Sequence, residues 1–204
     1  MVMKMKKILS FVLVIAILLC SVTAYADQAI DYPISVHIDQ GDITVRLPEN
    51  AIYVTQESTV NDLYFLIAGA ESYPLIMNDL KSNSVYIDAI NMNYSWELRI
   101  AVQQGAPMDF KGLSESVAQI YLDAFVSDFT NRGLTIDDTF VCTASGHAFV
   151  ALRANMGGRN IYTIMTTSDD KLLAITTGDV YAGSIEMDEL KSVTMAIING
   201  IIFD

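Results

Sequence analysis

Cys142 and His147 form the sharpest chemical pairing in this sequence, lying on either side of Ala144-Ser145-Gly146. If that turn closes a hairpin, thiol and imidazole could face one another as a thiolate–imidazolium pair, the arrangement behind nucleophilic cysteine catalysis. Against this, Cys142 follows Val141 in an alternating stretch, and a lone cysteine is among the residues most often buried. Packing is the favoured reading, and no catalytic residue is assigned. Ser145, His37 and several aspartates supply the residue types of a Ser–His–Asp triad, but no Gly-x-Ser-x-Gly elbow is present. The alternative kept open is a small secreted hydrolase using Cys142 or a serine.

Metal chemistry is served unevenly. His37, His147 and Cys142 lack the spacing of a structural zinc site. Asp39 with Asp42, Asp137 with Asp138, and Asp169 with Asp170 place paired carboxylates near turns. None is followed by a full run of oxygen donors ending in a bidentate glutamate, as a calcium loop requires. Solvated turn acids are the favoured account, with a calcium-dependent acidic module as an alternative; no metal or cofactor is assigned. Gly157-Gly158 lacks the strand-to-helix context of a phosphate cradle and reads as a hairpin turn. Tyr86, Tyr94, Trp96 and Tyr162 could line a ligand groove, with core packing the favoured use.

The elements that must position these residues follow from periodicity. Ile34, Val36 and Ile38, then Ile43, Val45 and Leu47, alternate with polar residues across Asp39-Gln40-Gly41-Asp42, which predicts a hairpin closed before Pro48. Residues 51–70 fit strand and helix equally and are expected to be mostly irregular, with one short element. Pro74 suits the first turn of a helix running to about Lys81, and strands follow near 85–90 and 96–103. A helix is expected over 112–131, with Leu113, Val117, Ile120, Tyr121, Ala124, Phe125 and Phe129 as its apolar stripe. Four short strands near 135–143, 148–155, 160–167 and 171–177, separated by short turns, form an antiparallel meander. A last helix should start at Ser184 as N-cap and end at Asn199-Gly200, leaving Ile201 to Phe203 to pack on the sheet. Runs of strands with helices at separated points give an α+β class rather than alternating α/β.

The first 26 residues read as an address. Lys4, Lys6 and Lys7 precede an apolar run from Ile8 to Leu19, and Ala24-Tyr25-Ala26 offers small residues for cleavage before Asp27. That is the layout of a Sec signal peptide. Leu19 before Cys20 argues against lipidation, and a retained anchor is the marginal alternative, since a span needs about 20 apolar residues. Cleavage would leave Cys142 alone, so the exported part could close no internal disulfide. It would also keep all 24 acidic residues while losing three of the 12 basic ones. A domain more acidic than the whole chain's formal −12 disfavours nucleic acid and anionic lipid. The expected organisation is therefore a signal peptide (1–26), a leader (27–33) and a single domain (34–204), secreted or held at the cell envelope, with no membrane span after cleavage.

The order of elements, with Ser84-Val85-Tyr86-Ile87-Asp88-Ala89, Gly146-His147-Ala148, Ile161-Tyr162-Thr163-Ile164, Lys171-Leu172-Leu173 and the closing Ile198 to Phe203, resembles the PsbP and Mog1-like group. The likeness is strongest to small secreted proteins of that kind in Gram-positive bacteria. The resemblance implies an α-β-α sandwich: a central antiparallel sheet of about six or more strands with helices on both faces. It further implies action by binding rather than catalysis. The expected function is thus a non-enzymatic domain engaging a protein or cell-envelope component.

Overall fold

The computed structural model describes residues 32–106 and 108–204. The signal peptide, its cleavage point and most of the leader lie outside the described residues. Residues 32–204 form one compact unit.

Ten strands and four α-helices alternate along it: β1 (Ile34–Ile38), β2 (Ile43–Leu47), β3 (Ala51–Val54), α1 (Leu63–Ala68), α2 (Tyr73–Ser82), β4 (Val85–Asn91), β5 (Trp96–Gln104), α3 (Glu115–Asn131), β6 (Ile136–Ala144), β7 (His147–Met156), β8 (Arg159–Ser168), β9 (Lys171–Asp179), α4 (Met187–Asn199) and β10 (Ile201–Phe203). A single 3-10 turn, Ala70–Ser72, links α1 to α2. Seven strands make an antiparallel sheet in the order β3-β4-β5-β9-β8-β7-β6, and a second, three-stranded sheet runs β1-β2-β10.

The expected meander is β6 to β9. Two of its turns are tight because both loop residues take the left-handed backbone that a two-residue hairpin needs: Ser145 and Gly146 have φ of 48° and 77°, Gly157 and Gly158 of 66° and 88°. Asn91 fixes the β4–β5 turn, its side-chain oxygen accepting the backbone N–H groups of Ser95 and Trp96.

Strand alternation divides the core between the two faces of the large sheet. On one face, Ile87, Leu98, Ile100, Phe149, Tyr162, Ile164 and Ile175 pack with Ile43, Val45 and Leu47 of the small sheet and with Leu190, Ile197 and Ile198 of α4. The hydroxyls of Thr177 and Thr194 join β9 to α4 at 2.5 Å inside that layer. On the other face, Val150, Leu152 and Met165 pack with Ala118 and Leu122 of α3. Near β3 a third cluster gathers Val54, Phe65, Met77, Leu80 and Val85. Helices therefore flank both faces of the sheet, as expected, and the small sheet shares one face with α4.

Four local expectations are corrected. Residues 51–70 hold two elements, not one: the first four residues pair with β4 as β3, and Leu63–Ala68 is a helix. The two periodicities that conflicted there belong to successive segments. The 112–131 helix begins at Glu115, because Gly112 donates its N–H to Gly146 and Lys111 bridges to His147, which holds the chain extended until Ser114. Its buried stripe is Ala118 and Leu122 with Tyr121, Phe125 and Phe129 alongside, while Val117 and Ile120 are exposed. Apolar residues cover more than half the helix circumference, so spacing alone left its rotation free. Ser184 does not cap α4: its hydroxyl donates to the Ser95 carbonyl, and Glu186 occupies the cap position.

Candidate functional site

The chemistry-bearing pairs of the sequence are not assembled. Cys142 stands opposite Phe149 in the β6–β7 register, whereas His147 stands opposite Ala144. The imidazole lies flat on the Phe203 ring, 3.6 Å between centroids, and its Nδ1 lies 3.1 Å from the Ser145 carbonyl oxygen. Burial, with the charge of Glu115 second, pushes the Cys142 thiol up to about 11, the opposite of what a nucleophile needs. The Ser145 hydroxyl is spent on the Ile201 carbonyl at 2.7 Å. His37 sits elsewhere, between Asp39 and Asp204, 3.1 Å from each carboxylate.

The aspartate pairs are likewise separate. Asp138 accepts the Tyr162 hydroxyl at 2.6 Å and Lys191 at 2.9 Å. Among the described residues no group of three or more His, Cys, Asp or Glu side chains is gathered to hold a metal ion. Of the four aromatics, Trp96 and Tyr162 are core residues and Tyr94 is exposed at a turn; Tyr86 alone of them borders a cavity described below.

The concave surface lies instead where the two sheets gape. β1 terminates the small sheet and β3 terminates the large one. Two adjoining cavities, of about 520 and 470 Å³, open between them and share Tyr53, Thr55 and Glu57 as lining. Together they form a trough. The first lobe has an apolar lining from Ile34, Ile52, Leu63 and Met92, and three carboxylates, Glu49, Glu57 and Asp62, with no basic residue in its lining. Thr59 donates its backbone N–H and then its hydroxyl to Asp62, which holds that carboxyl below its ordinary range. The second lobe runs along β1, from Ser35 to Ile38, facing Gln56, Lys81 and Tyr86.

Hydrogen-bond phase tells which backbone groups face this trough. Arg46 in β2 donates its N–H to Gly200, on the β10 side. Its cross-strand neighbour Ser35 therefore has its N–H and C=O turned to the outer edge of β1, and the alternation repeats at His37. On β3, Met92 donates to the Asn50 carbonyl, which directs even-numbered residues toward β4 and turns the backbone of Tyr53 outward. A strand edge of this kind is a template for another chain.

The trough wall is supported from behind. α1 is pinned by Phe65, 1% exposed, which meets the Tyr64 and Tyr73 rings edge-on at 5.5 and 4.9 Å. Gln56 donates its side-chain amide to the Val85 carbonyl at 2.8 Å and to the Leu80 carbonyl at 3.3 Å. On the far side of β4, Arg99 bridges Asp79 of α2 and Asp88 of β4. Burial of Asp88 outweighs that guanidinium and pushes its carboxyl up to about 6. Burial, then the Asp88 charge, likewise raises the Tyr64 hydroxyl to about 12.

Reasoning from the sequence missed this site. Its lining comes from β1, β3 and the 55–63 segment, and an open strand edge is a property of tertiary arrangement. The only local signal was the concentration of Glu49, Glu57 and Asp62 within a stretch of mixed periodicity.

No family model matches the chain, and no curated protein matches it. Solved structures similar to it include the solution structure of cyanobacterial PsbP (CyanoP) from Synechocystis sp. PCC 6803, at 11% identity over 84% of this chain and 92% of that one, with a TM-score of 0.48. The immunity protein TplEi of T6SS from Pseudomonas aeruginosa, solved in complex with "L" peptide, is similar at 11% identity over 85% of this chain and 99% of that one, with a TM-score of 0.42. A PsbP domain is among the solved structures to which this chain is similar, as its order of elements led us to expect. Neither structure bears on the Mog1-like side of that expectation or on a Gram-positive source. With both TM-scores under 0.5 neither likeness carries an argument, and no residue, activity or partner is carried across.

Proposed function

We propose that this chain is an exported, non-enzymatic domain that binds a protein or cell-envelope component in the trough between β1 and β3. One observation carries the reading: two open sheet edges border one trough, β1 presenting Ser35 and His37 along its second lobe and β3 presenting Tyr53 along both lobes. Clefts with an apolar floor and a few placed polar groups are where folded domains take ligands. The signal-like segment at residues 1–26 supports export, and an acidic surface suits the outside of the cell. Catalysis has no comparable support, since the residues that could carry it are held in separate contacts.

Photo-crosslinking in intact cells tests the role. A benzoylphenylalanine at Thr55, in the trough, should trap a defined partner, whereas one at Glu189, exposed on α4, should not. Equal capture from both positions, or none from Thr55, would overturn the assignment of the trough.

A further inference from the structure

Building on that reading of the trough, we infer the chemistry of its occupant: an extended polypeptide segment that adds as a strand to the outer edge of β1 and places a lysine or arginine in the first lobe. Three features lead there.

The first is backbone. Ser35 and His37 present their N–H and C=O groups outward on β1, and Tyr53 does so across the trough on β3. An added strand satisfies such groups with its own main chain, whatever its sequence, and takes specificity from alternate side chains that enter pockets. β1 is five residues long, enough for one short segment.

The second is the pairing of apolar and acidic surface in the first lobe. Its apolar lining is Ile34, Ile52, Leu63 and Met92, and its carboxylates are Glu49, Glu57 and Asp62, without a cation among the lining residues. A leucine would cover the apolar lining and leave Glu49 and Glu57 without a cation in that lobe, and a glutamate would meet three like charges. A lysine or arginine satisfies both, laying its methylene stem on the apolar lining while its head stays at the wet acidic rim.

The third is asymmetry between the lobes. Lys81 lines the second lobe, where His37 also lies 3.1 Å from Asp39, whereas no basic side chain lines the first. A basic side chain is therefore directed to one end of the trough, which sets the register of the guest strand along β1.

The test uses the full chain and capped, fluorescein-labelled heptapeptides that alternate threonine and valine around a central lysine, leucine or glutamate, read by fluorescence anisotropy. The lysine peptide should bind at least about tenfold more tightly than the glutamate peptide and weaken as salt is raised, as screening of exposed charge demands. Glu49→Gln with Glu57→Gln should remove the preference for lysine over leucine. Ser35→Pro should weaken every peptide about tenfold or more, since proline deletes an outward N–H without taking one from the β1–β2 ladder. Because that substitution acts on the protein, a lysine peptide N-methylated along its backbone checks the same point on the ligand, and it should lose binding to the unaltered chain. Equal binding of lysine and glutamate peptides, or full binding of the N-methylated peptide, would overturn the inference. So would spermidine binding as tightly as the lysine peptide, which would make the lobe a small-cation site. Crosslinking at Thr55 that captures a partner through an acidic or helical segment would leave the binding role standing while removing the strand and its basic residue.

Discussion

The large sheet ends in two edges that are handled differently. β6 is nine residues long and carries Asp137 and Asp138 beside a register shift between Ile136 and Asp138. Asp138 is tied down by Tyr162 and Lys191, and α3 packs behind the strand. Charge and a bulge on an edge are devices that keep other chains away. β3 is only four residues long, carries no charge, and opens onto a cavity whose far wall is another open edge. The difference lies in the surroundings: β3 faces a cavity lined by apolar and acidic side chains, whereas β6 carries its own charges and a bulge.

The widest separation between the two ends should come from core substitutions. Phe65→Ala removes the ring that pins α1 and should destabilise by about 3–5 kcal/mol, with loss of peptide binding even in the fraction that stays folded. Leu122→Ala, in α3 behind β6 and β7, should destabilise by about 2–5 kcal/mol while leaving binding intact. Urea unfolding with anisotropy on the same samples separates the cases, and equal loss of binding in both would erase the distinction between the ends.

Asp88 gives the next effect. Its folded value near 6 lies above the ordinary value of 3.8, so the folded state holds the proton more tightly than the unfolded one. The stabilisation is complete below about pH 3.8 and is lost as pH rises through 6. The difference corresponds to about 3 kcal/mol at most. Asp88→Asn should remove this component, so that its stability relative to the parent increases between pH 4 and 7; parallel pH curves for the two proteins would refute the assignment.

At the β6 end, Asp138→Ala leaves the buried Tyr162 hydroxyl and Lys191 without their carboxylate, and should lower stability by about 1–3 kcal/mol. It should also unmask the edge, read as concentration-dependent self-association in sedimentation; a variant that stays monomeric would show that the bulge alone protects β6. The smallest effect belongs to Asp204→Asn beside His37, an exposed contact expected to change stability by less than about 1 kcal/mol. Native Cys142 should resist iodoacetamide at neutral pH, and rapid labelling would reopen the thiol as a nucleophile.

Most of the large sheet could be read from residues because its information is local. Alternation in Trp96 to Gln103, glycines at the meander turns and Pro74 at a helix start each specify conformation within a few residues. The rotation of α3 was not legible, since Val117 and Ile120 satisfy the helical spacing as well as Ala118 and Leu122 do, and only the sheet beneath decides which set is covered. Ser184 misled for a related reason: its hydroxyl had a better tertiary acceptor at Ser95 than a local one. Nor did anything in Ile34 to Leu47 say that this hairpin would join β10 in a separate sheet and leave β1 open. The site depends on that separation, and therefore stayed invisible in the sequence.

The pairing of β2 with β10 has a temporal consequence. It joins residues 43–45 to residues 201–203, about the largest loop the domain can close, and such long-range pairings form slowly. The opposite wall of the trough, β3 against β4 and β4 against β5, closes through much shorter loops. The β1–β2 hairpin also closes locally, but its three-stranded sheet waits for the last strand of the chain. The three-stranded sheet, and with it the full trough, is therefore complete only once the last residues of the chain have paired.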